Sequence, residues 1–265
     1  MIMKDDDIRK AVREGYAKVA IQNSSCCGPA SPCCGSTQDN TSKVMGYTEE
    51  QLAALPEGAD LGLGCGNPTA LASLKEGEVV LDLGSGAGID CFLAAAAVGE
   101  KGKVIGVDMT PPMLERARAN ATKAEADNVE FRLGEIEHLP VADNTVDVII
   151  SNCVINLSPD KAQVFKEAYR VLKPGGRIMV SDIVLTKALP DEVRGSIEAY
   201  VSCVAGAINK DDYLSKIESA GFTDVEIAGE QSARGMWSSI TDMDKSTEDI
   251  INSILSIKVS ATKPS

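Results

Sequence analysis

The sequence predicts an α/β fold in which a mostly parallel sheet of seven strands carries helices on both faces. An apolar run at 79–81 leads into a glycine-rich stretch at 84–88, and an alanine-rich apolar run follows at 91–98. Strand, glycine loop and helix in this order form the first half of a parallel unit. Apolar runs and helical patterns then alternate along the chain. This alternation predicts ligand binding at the carboxyl ends of the strands.

Hydrophobic periodicity predicts the individual elements in chain order. The first helix rests on Ile8, Val12, Tyr16 and Val19, which recur every three to four positions. Short apolar runs bounded by Gly, Pro and polar residues predict strands at 79–82, 103–108, 177–185, 222–230 and 254–263. The segment 129–140 is predicted to be a strand that runs into a loop, and the apolar run at 146–157 a buried strand that ends at Asn152-Cys153. Helical spacing predicts helices at 3–22, 91–98, 113–124, 161–172, 191–207 and 211–222. A stretch rich in Ser, Gly, Pro and Asn, 23–46, predicts a loop.

Length and charge limit the class of protein. A chain of 265 residues can bury one sizeable core with at most a small appended lobe. We expect three parts: an N-terminal helix with a Cys-rich loop and a Cys65 loop (1–74), a cofactor-binding core (75–185), and substrate-binding helices with the closing strands (186–265). The net charge of −13, with no visible basic stripe, argues against a nucleic-acid partner.

The predicted location is cytoplasmic, without a membrane partner. The N-terminus is charged and lacks the apolar centre of a signal peptide, and no apolar run approaches the ~20 residues of a membrane span. Because the cytoplasm is reducing, we interpret the eight cysteines as thiols with a chemical role rather than as a scaffold of disulfides.

The glycine stretch has the context of a nucleotide-binding loop. Asp82 precedes glycines at 84, 86 and 88, and the next predicted strand ends at Asp108, where a carboxylate can accept hydrogen bonds from ribose hydroxyls. The spacing differs from the G-x-G-x-x-G of dinucleotide enzymes, and no phosphate-binding lysine follows. The combination resembles the class I S-adenosylmethionine-dependent methyltransferases; the alternative is a structural glycine turn in another α/β protein. The candidate cofactor contacts are Tyr16, Asp82, Gly84, Ser85, Gly86, Gly88, Asp108, Met109, Glu135, Ile136 and Asn152.

A second stretch, 60–66, has the same D-x-G-x-G-x-G sequence pattern as 82–88, but the segments around it differ. A helix and a turn precede it instead of a strand, and the segment after Pro68 is too short for a crossover helix. We therefore interpret 60–66 as a glycine loop that presents Cys65, and 82–88 as the cofactor loop.

Two pairs of adjacent cysteines, Cys26-Cys27 and Cys33-Cys34, lie in the predicted N-terminal loop. Zinc knuckles usually separate paired cysteines by two residues, so that both sulfurs can turn to one ion. A structural zinc site is therefore the less favoured alternative. Exposed thiols on such a segment suit redox exchange, or delivery of a thiophilic ligand, better.

Single cysteines recur in three distinctive segments: GLGCGNP at 62–68, SNCVINL at 151–157 and YVSCVAGAI at 200–208. Together with the CCGP at 26–29, these segments resemble the arsenite methyltransferases, from about Tyr16 to the final strands. The resemblance implies that Cys65, Cys153 and Cys203 bind trivalent arsenic, with arsenite and methylarsenite as substrates, S-adenosylmethionine as cofactor and no other metal.

The resemblance also implies a redox half-reaction, in which the methylated product is reduced to the trivalent state while thiols form a disulfide. Cys26 and Cys27 are the candidates for this step or for arsenic delivery, and a small thiol or thioredoxin is the expected reductant. The second pair, Cys33-Cys34, is additional to the family pattern.

The implied chemistry agrees with the residue types. Trivalent arsenic is soft and three-coordinate, so thiolates suit it, and its lone pair attacks without loss of a proton. No general base is then needed, and His138, the one histidine, is expected to face solvent. Cys91, inside the helix after the cofactor loop, is expected to be a core residue.

Two other functions compete with this interpretation. A methyltransferase for a small organic acceptor, such as a quinone or sterol precursor, would share the cofactor residues but need a base or an apolar pocket. A metalloid-binding protein without turnover is the second alternative, and the intact cofactor loop with Asp108 argues against it.

Overall fold

The computed structural model describes residues 4–22, 42–70, 72–232, 234 and 245–265. Within this part, seven strands form one sheet. The strands are β1 (Val79–Leu83), β2 (Lys103–Asp108), β3 (Val129–Leu133), β4 (Val146–Asn152), β5 (Leu172–Leu185), β6 (Thr223–Ser232) and β7 (Ile254–Thr262). Their order across the sheet is β3-β2-β1-β4-β5-β7-β6. All pairs from β3 to β5 are parallel, and β7 runs antiparallel to both β5 and β6.

The helices lie between and before these strands. They are α1 (Asp5–Gln22), α2 (Glu49–Ala53), α3 (Ile89–Val98), α4 (Pro111–Lys123), α5 (Lys161–Val171), α6 (Asp191–Arg194), α7 (Ile197–Val201), α8 (Lys210–Ser219) and α9 (Lys245–Asn252). Local chemistry sets several of their first turns: Asp160 accepts a hydrogen bond from the Gln163 amide, and Pro111 occupies the first turn of α4. No helix in the described ranges has the length and apolarity needed to cross a bilayer.

Neighbouring strand residues point to opposite faces of the sheet and fill two separate cores. Leu81 and Ile149 belong to the cluster that α5 and α8 cover, whereas Val80 and Val148 pack beneath α3 and α4. Since both faces are buried, the central strands are apolar at almost every position, which agrees with their sequence pattern.

The strand order reverses beside β1, because β2 lies on one side of it and β4 on the other. Such a switch point opens a crevice at the carboxyl ends of these strands. A third apolar cluster lies there, and it includes Val12 of α1, Leu157 after β4, and Tyr200 of α7. The predicted fold class, a mostly parallel seven-stranded sheet with helices on both faces, is confirmed.

Two predicted strand ends agree with the structure. The third strand, predicted to run into a loop within 129–140, ends at Leu133, and an added Cβ at Gly134 would press against Pro140. The fourth strand, predicted to end at Asn152-Cys153, ends at Asn152; Cys153 has a φ of 60°, and 155–157 form a 3₁₀ turn.

Two elements differ from the prediction. The turn predicted at 173–176 belongs to β5, and the register shifts between Val146 and Val148 opposite it. The helix predicted at 191–207 is divided into α6 and α7. The Cys-rich extension lies largely outside the described residues, and the division of the chain at 74 and 185 stays a prediction.

The placement of β7 inside the sheet predicts unequal effects of the same substitution on two neighbouring strands. Ile257 on β7 is fully buried, whereas Ile227 on the outer strand β6 is 37% exposed. Ile257→Ala should lower the free energy of unfolding by about 2–5 kcal/mol, because it leaves a cavity. Ile227→Ala should change it by about 0.5 kcal/mol or less. Urea denaturation measures both; equal losses would contradict the strand order.

Candidate active site

The cofactor loop, 84–88, bends over the end of β2. The amides of Gly84 and Ser85 donate to the carbonyl oxygen of Val107 at 2.8 and 3.0 Å. Gly84, Gly86 and Gly88 have φ values of 70°, 53° and 101°, which side chains rarely adopt. An added Cβ at Gly86 would meet nothing within 4 Å, so the backbone there faces open space. A ligand can therefore approach this backbone closely.

Asp108 links the loop to β2. Its carboxylate accepts hydrogen bonds from the amides of Gly86 at 3.0 Å and Thr110 at 2.8 Å. Burial raises the pKa of Asp108, and these two amides oppose that rise. Two amides leave lone pairs free on the carboxylate, so it can still accept a hydrogen bond from a ligand hydroxyl.

Asp82 and Ser85 complete the predicted motif in different ways. Asp82 is 2% exposed, and burial, followed by the neighbouring Asp90, raises its pKa. It accepts a hydrogen bond from the Cys91 thiol at 3.2 Å, and Cys91 is a fully buried core residue as expected. The hydroxyl of Ser85 is buried and has no hydrogen-bond partner among the described residues. Such an unpaired hydroxyl beside an open glycine backbone fits a polar cofactor bound at this loop.

The other predicted cofactor contacts surround the loop. Glu135 forms ion pairs with Arg9 and Arg13 of α1 at 3.7 and 3.4 Å, and Ile136 is 8% exposed. Met109 is half-buried against the third apolar cluster. Their contact with a cofactor stays a prediction.

Tyr16 lies between the cofactor loop and the cysteines. Its ring packs on the cluster that contains Ala87 of the loop and on the cluster that contains Cys203. Its hydroxyl donates to the carbonyl oxygen of Val201 at 3.4 Å and lies 3.9 Å from the Cys203 sulfur. Tyr16 therefore reaches a cysteine directly, a contact that the sequence did not indicate.

The three singled-out cysteines lie together in the third cluster. Cys65 and Cys153 form a disulfide with a Cα–Cα distance of 5.5 Å, within the usual range for such bonds. The Cys203 thiol donates to the carbonyl oxygen of Cys153 at 2.9 Å. All three are at most 5% exposed. The sequence predicts free thiols at Cys65 and Cys153, whereas the structure joins them in a disulfide.

Unusual backbone conformations bring these sulfurs together. Cys153 and Cys203 have φ values of 60° and 66°, in the left-handed region that non-glycine residues rarely occupy. Gly64, with a φ of 130°, turns the chain just before Cys65. Strained backbone of this kind persists where surrounding structure fixes it, and it concentrates at functional sites.

Two buried charged residues near Cys203, Lys161 and Asp182, were not predicted from the sequence. Burial lowers the pKa of Lys161 to about 8 and raises that of Asp182 to about 6. Lys161 donates to the carbonyl oxygens of Asn156 and Ser158, and Asp182 accepts from the Asn156 amide at 2.7 Å. Burial, followed by the charge of Asp182, raises the pKa of the Cys203 thiol to about 12. The sequence does contain a sign of this buried group, because Asp182 is the one acidic residue within the apolar run at 177–185.

The remaining predicted groups are placed as follows. Cys26, Cys27, Cys33 and Cys34 lie outside the described residues. His138 is exposed, so its expected orientation to solvent is confirmed. Over the described ranges, no three His, Cys, Asp or Glu side chains are arranged to hold a metal ion. A three-sulfur arsenic site therefore requires reduction of the Cys65–Cys153 disulfide and a shift of the sulfurs.

The sheet order, the glycine loop after β1 and the acid that ends β2 define a class I methyltransferase fold. A family model described as a methyltransferase domain matches residues 74–221. The arsenite methyltransferase of Halobacterium salinarum is 48% identical over 98% of this chain and 67% of its own length. The human arsenite methyltransferase is 35% identical over 83% of this chain and 59% of its own length.

A solved structure agrees with these relatives. The arsenic (III) S-adenosylmethionine methyltransferase of Chlamydomonas reinhardtii has a TM-score of 0.65 and 36% identity, covering 85% of this chain and 73% of that one. The chain belongs to the arsenite methyltransferase family. It spans about two thirds or less of the curated relatives it matches.

The position of Asp108 predicts a selective loss of cofactor affinity. Asp108→Ala removes a charged acceptor worth about 1.5–3 kcal/mol, so S-adenosylmethionine should bind roughly 10- to 150-fold more weakly. Arsenite binding to the reduced protein should persist. Isothermal titration calorimetry measures both, and Glu115→Ala, an exposed acid on α4, provides the charge-matched control. Unchanged cofactor affinity in Asp108→Ala would show that the loop at 84–88 is not the cofactor site.

Proposed function

We propose that this protein transfers a methyl group from S-adenosylmethionine to trivalent arsenic held by Cys65, Cys153 and Cys203. The observation that supports it most is the meeting of three sulfur-bearing residues from three separate segments at the carboxyl end of the sheet. The names of the relatives at 48% and 35% identity support the substrate, arsenite, and methylarsenite is the proposed second substrate.

Arsenite binding begins with reduction of the disulfide. A small dithiol or thioredoxin supplies two electrons and two protons, so that Cys65 and Cys153 become thiols and the reductant becomes a disulfide. Three thiols then condense with arsenous acid, forming three As–S bonds and releasing three waters. Each thiol contributes its own proton to a leaving hydroxide, so the raised pKa of Cys203 requires no separate base.

The residues around the cysteines then position the nucleophile. When bound, S-adenosylmethionine supplies an electrophilic methyl group, and the backbone of 84–88, Ser85 and Asp108 are the groups that hold it. The three sulfurs leave a lone pair on arsenic, and no proton has to be removed from it. Val12 and Leu157, together with Leu189, surround the cysteines with apolar surface that excludes water. The contribution of the protein is therefore mainly orientation.

The proposal includes a redox role for the N-terminal cysteines. After transfer, arsenic is pentavalent, and two thiols must supply the electrons that return it to the trivalent state. Cys26 and Cys27 are proposed to take part in this reduction, or in arsenic delivery, with the same thiol reductant restoring them.

The three-sulfur site predicts different outcomes for two substrates. Serine is a poor arsenic ligand, so Cys65→Ser, Cys153→Ser or Cys203→Ser should each slow arsenite methylation. Removing a residue that hydrogen-bonds to a metal ligand typically lowers metal affinity or activity about 10- to 100-fold. Removing a ligand itself should therefore lower the rate of arsenite methylation at least about 100-fold. Methylarsenite already carries one carbon and needs only two sulfurs, so one of the three variants should retain its methylation. Chromatographic speciation of arsenic measures both reactions.

The control is Cys91→Ser, which changes a buried cysteine outside the cluster and keeps a donor for Asp82. It should methylate both substrates at nearly the wild-type rate. Wild-type arsenite turnover in all three cluster variants would refute the arsenic site, and would favour an organic acceptor.

A further inference from the structure

The side-chain amide of Asn152 fastens the Cys65 loop to the end of β4. Its oxygen accepts a hydrogen bond from the Cys65 amide at 2.9 Å, and its nitrogen donates to the carbonyl oxygen of Gly66 at 2.7 Å. Asn152 is also the residue before Cys153. One side chain therefore fixes the backbone on both sides of the Cys65–Cys153 disulfide.

A second layer of buried groups holds this amide in place. The Asn152 nitrogen lies 2.9 Å from the Tyr47 hydroxyl oxygen and 3.2 Å from a carboxylate oxygen of Asp90. The other carboxylate oxygen of Asp90 accepts from the hydroxyls of Tyr47 at 2.8 Å and Thr69 at 3.0 Å. Tyr47, Thr69 and Asp90 are 4%, 9% and 3% exposed. Buried groups with this many mutual bonds have few alternative arrangements.

The three outer groups come from functionally different segments. Asp90 is the second residue of α3, directly after the cofactor loop. Tyr47 and Thr69 lie before and after the Cys65 loop in the chain. The network therefore connects the helix of the cofactor loop to both flanks of the loop that carries Cys65.

The packing against Asn152 leaves no room for a side chain at Gly64. An added Cβ at Gly64 would lie 2.8 Å from the Asn152 nitrogen, and Gly64 has a φ of 130°. The hydroxyl of Ser256 donates to the Cys65 carbonyl oxygen at 3.0 Å from the other side. Neither flanking contact turns the Cys65 amide, so its direction depends on Asn152.

We propose that Tyr47, Thr69 and Asp90 are positioning residues, which orient the Asn152 amide so that the Cys65 sulfur stays opposite Cys153. We call these three residues and Asn152 the clamp. By holding the two cysteines in place, the clamp raises the effective concentration of the Cys65 sulfur at the Cys153 sulfur. Where methylation is the readout, this inference rests on the proposed function; the disulfide itself provides a readout that does not. The predicted cofactor contact of Asn152 is not part of this inference. Both the oxygen and the nitrogen of its side-chain amide already have protein partners.

The test uses Tyr47→Phe in the full chain, which removes one hydroxyl and little volume. The protein is equilibrated with reduced and oxidised dithiothreitol, and mass spectrometry of alkylated peptides gives the fraction of Cys65–Cys153 disulfide. We expect the equilibrium constant for disulfide formation to fall about tenfold, the usual effect of one buried hydrogen bond. The kcat for arsenite methylation should fall similarly, while KM for S-adenosylmethionine stays within about twofold.

Tyr169→Phe is the matched control, because Tyr169 packs against Phe222 in a different cluster. It should leave the disulfide equilibrium and kcat unchanged. If Tyr47→Phe does not fold, Thr69→Val removes the other hydroxyl at Asp90, and the same readouts apply.

A wild-type disulfide equilibrium in the folded variant would overturn the positioning role. An equal fall in Tyr169→Phe would overturn it as well, since the effect would then be general destabilisation. Absence of arsenite methylation in the wild-type protein would refute the proposed function alone, because the disulfide equilibrium still tests the clamp.

Discussion

The active-site arrangement depends on how the irregular Cys65 loop satisfies its buried backbone. Among the described residues, no strand pairs with the amides and carbonyl oxygens of this loop. An unpaired buried group costs about 1–3 kcal/mol. The Asn152 side chain supplies the partner for the Cys65 amide and for the Gly66 carbonyl, and Ser256 supplies one for the Cys65 carbonyl. Because these partners sit on β4 and β7, the loop takes its position from the rigid sheet.

The parallel sheet explains why residues far apart in sequence meet. Cys65 and Cys153 are 88 positions apart, yet their Cα atoms are 5.5 Å apart, because Cys153 follows a central strand at its carboxyl end. The reversal of strand order beside β1 places the cofactor loop at the same edge. The topology thus makes the loop at 84–88 and the three cysteines neighbours, and side-chain hydrogen bonds set the orientation of the Cys65 loop.

Local motifs could be predicted from the sequence, and long-range partners could not. The glycine loop and Asp108 were recognisable because strand, loop and helix are consecutive in the chain, and context separated them from the similar stretch at 60–66. The cysteine set came from a resemblance. The Asn152–Tyr47 bond joins residues 105 positions apart, and nothing local to either indicates it. The Cys65–Cys153 disulfide was missed because thiol chemistry was assumed from the expected compartment.

X-ray absorption at the arsenic edge reports the ligands of bound arsenic, which we propose to be the sulfurs of Cys65, Cys153 and Cys203. The N-terminal cysteines are first replaced (Cys26→Ser, Cys27→Ser, Cys33→Ser and Cys34→Ser), and the protein is reduced with a phosphine so that no small thiol can supply sulfur. We expect three sulfur neighbours around one bound arsenic, and two sulfurs with one oxygen after the further change Cys203→Ser. An oxygen neighbour before that change, or an unchanged spectrum after it, would show that these three cysteines are not the arsenic ligands.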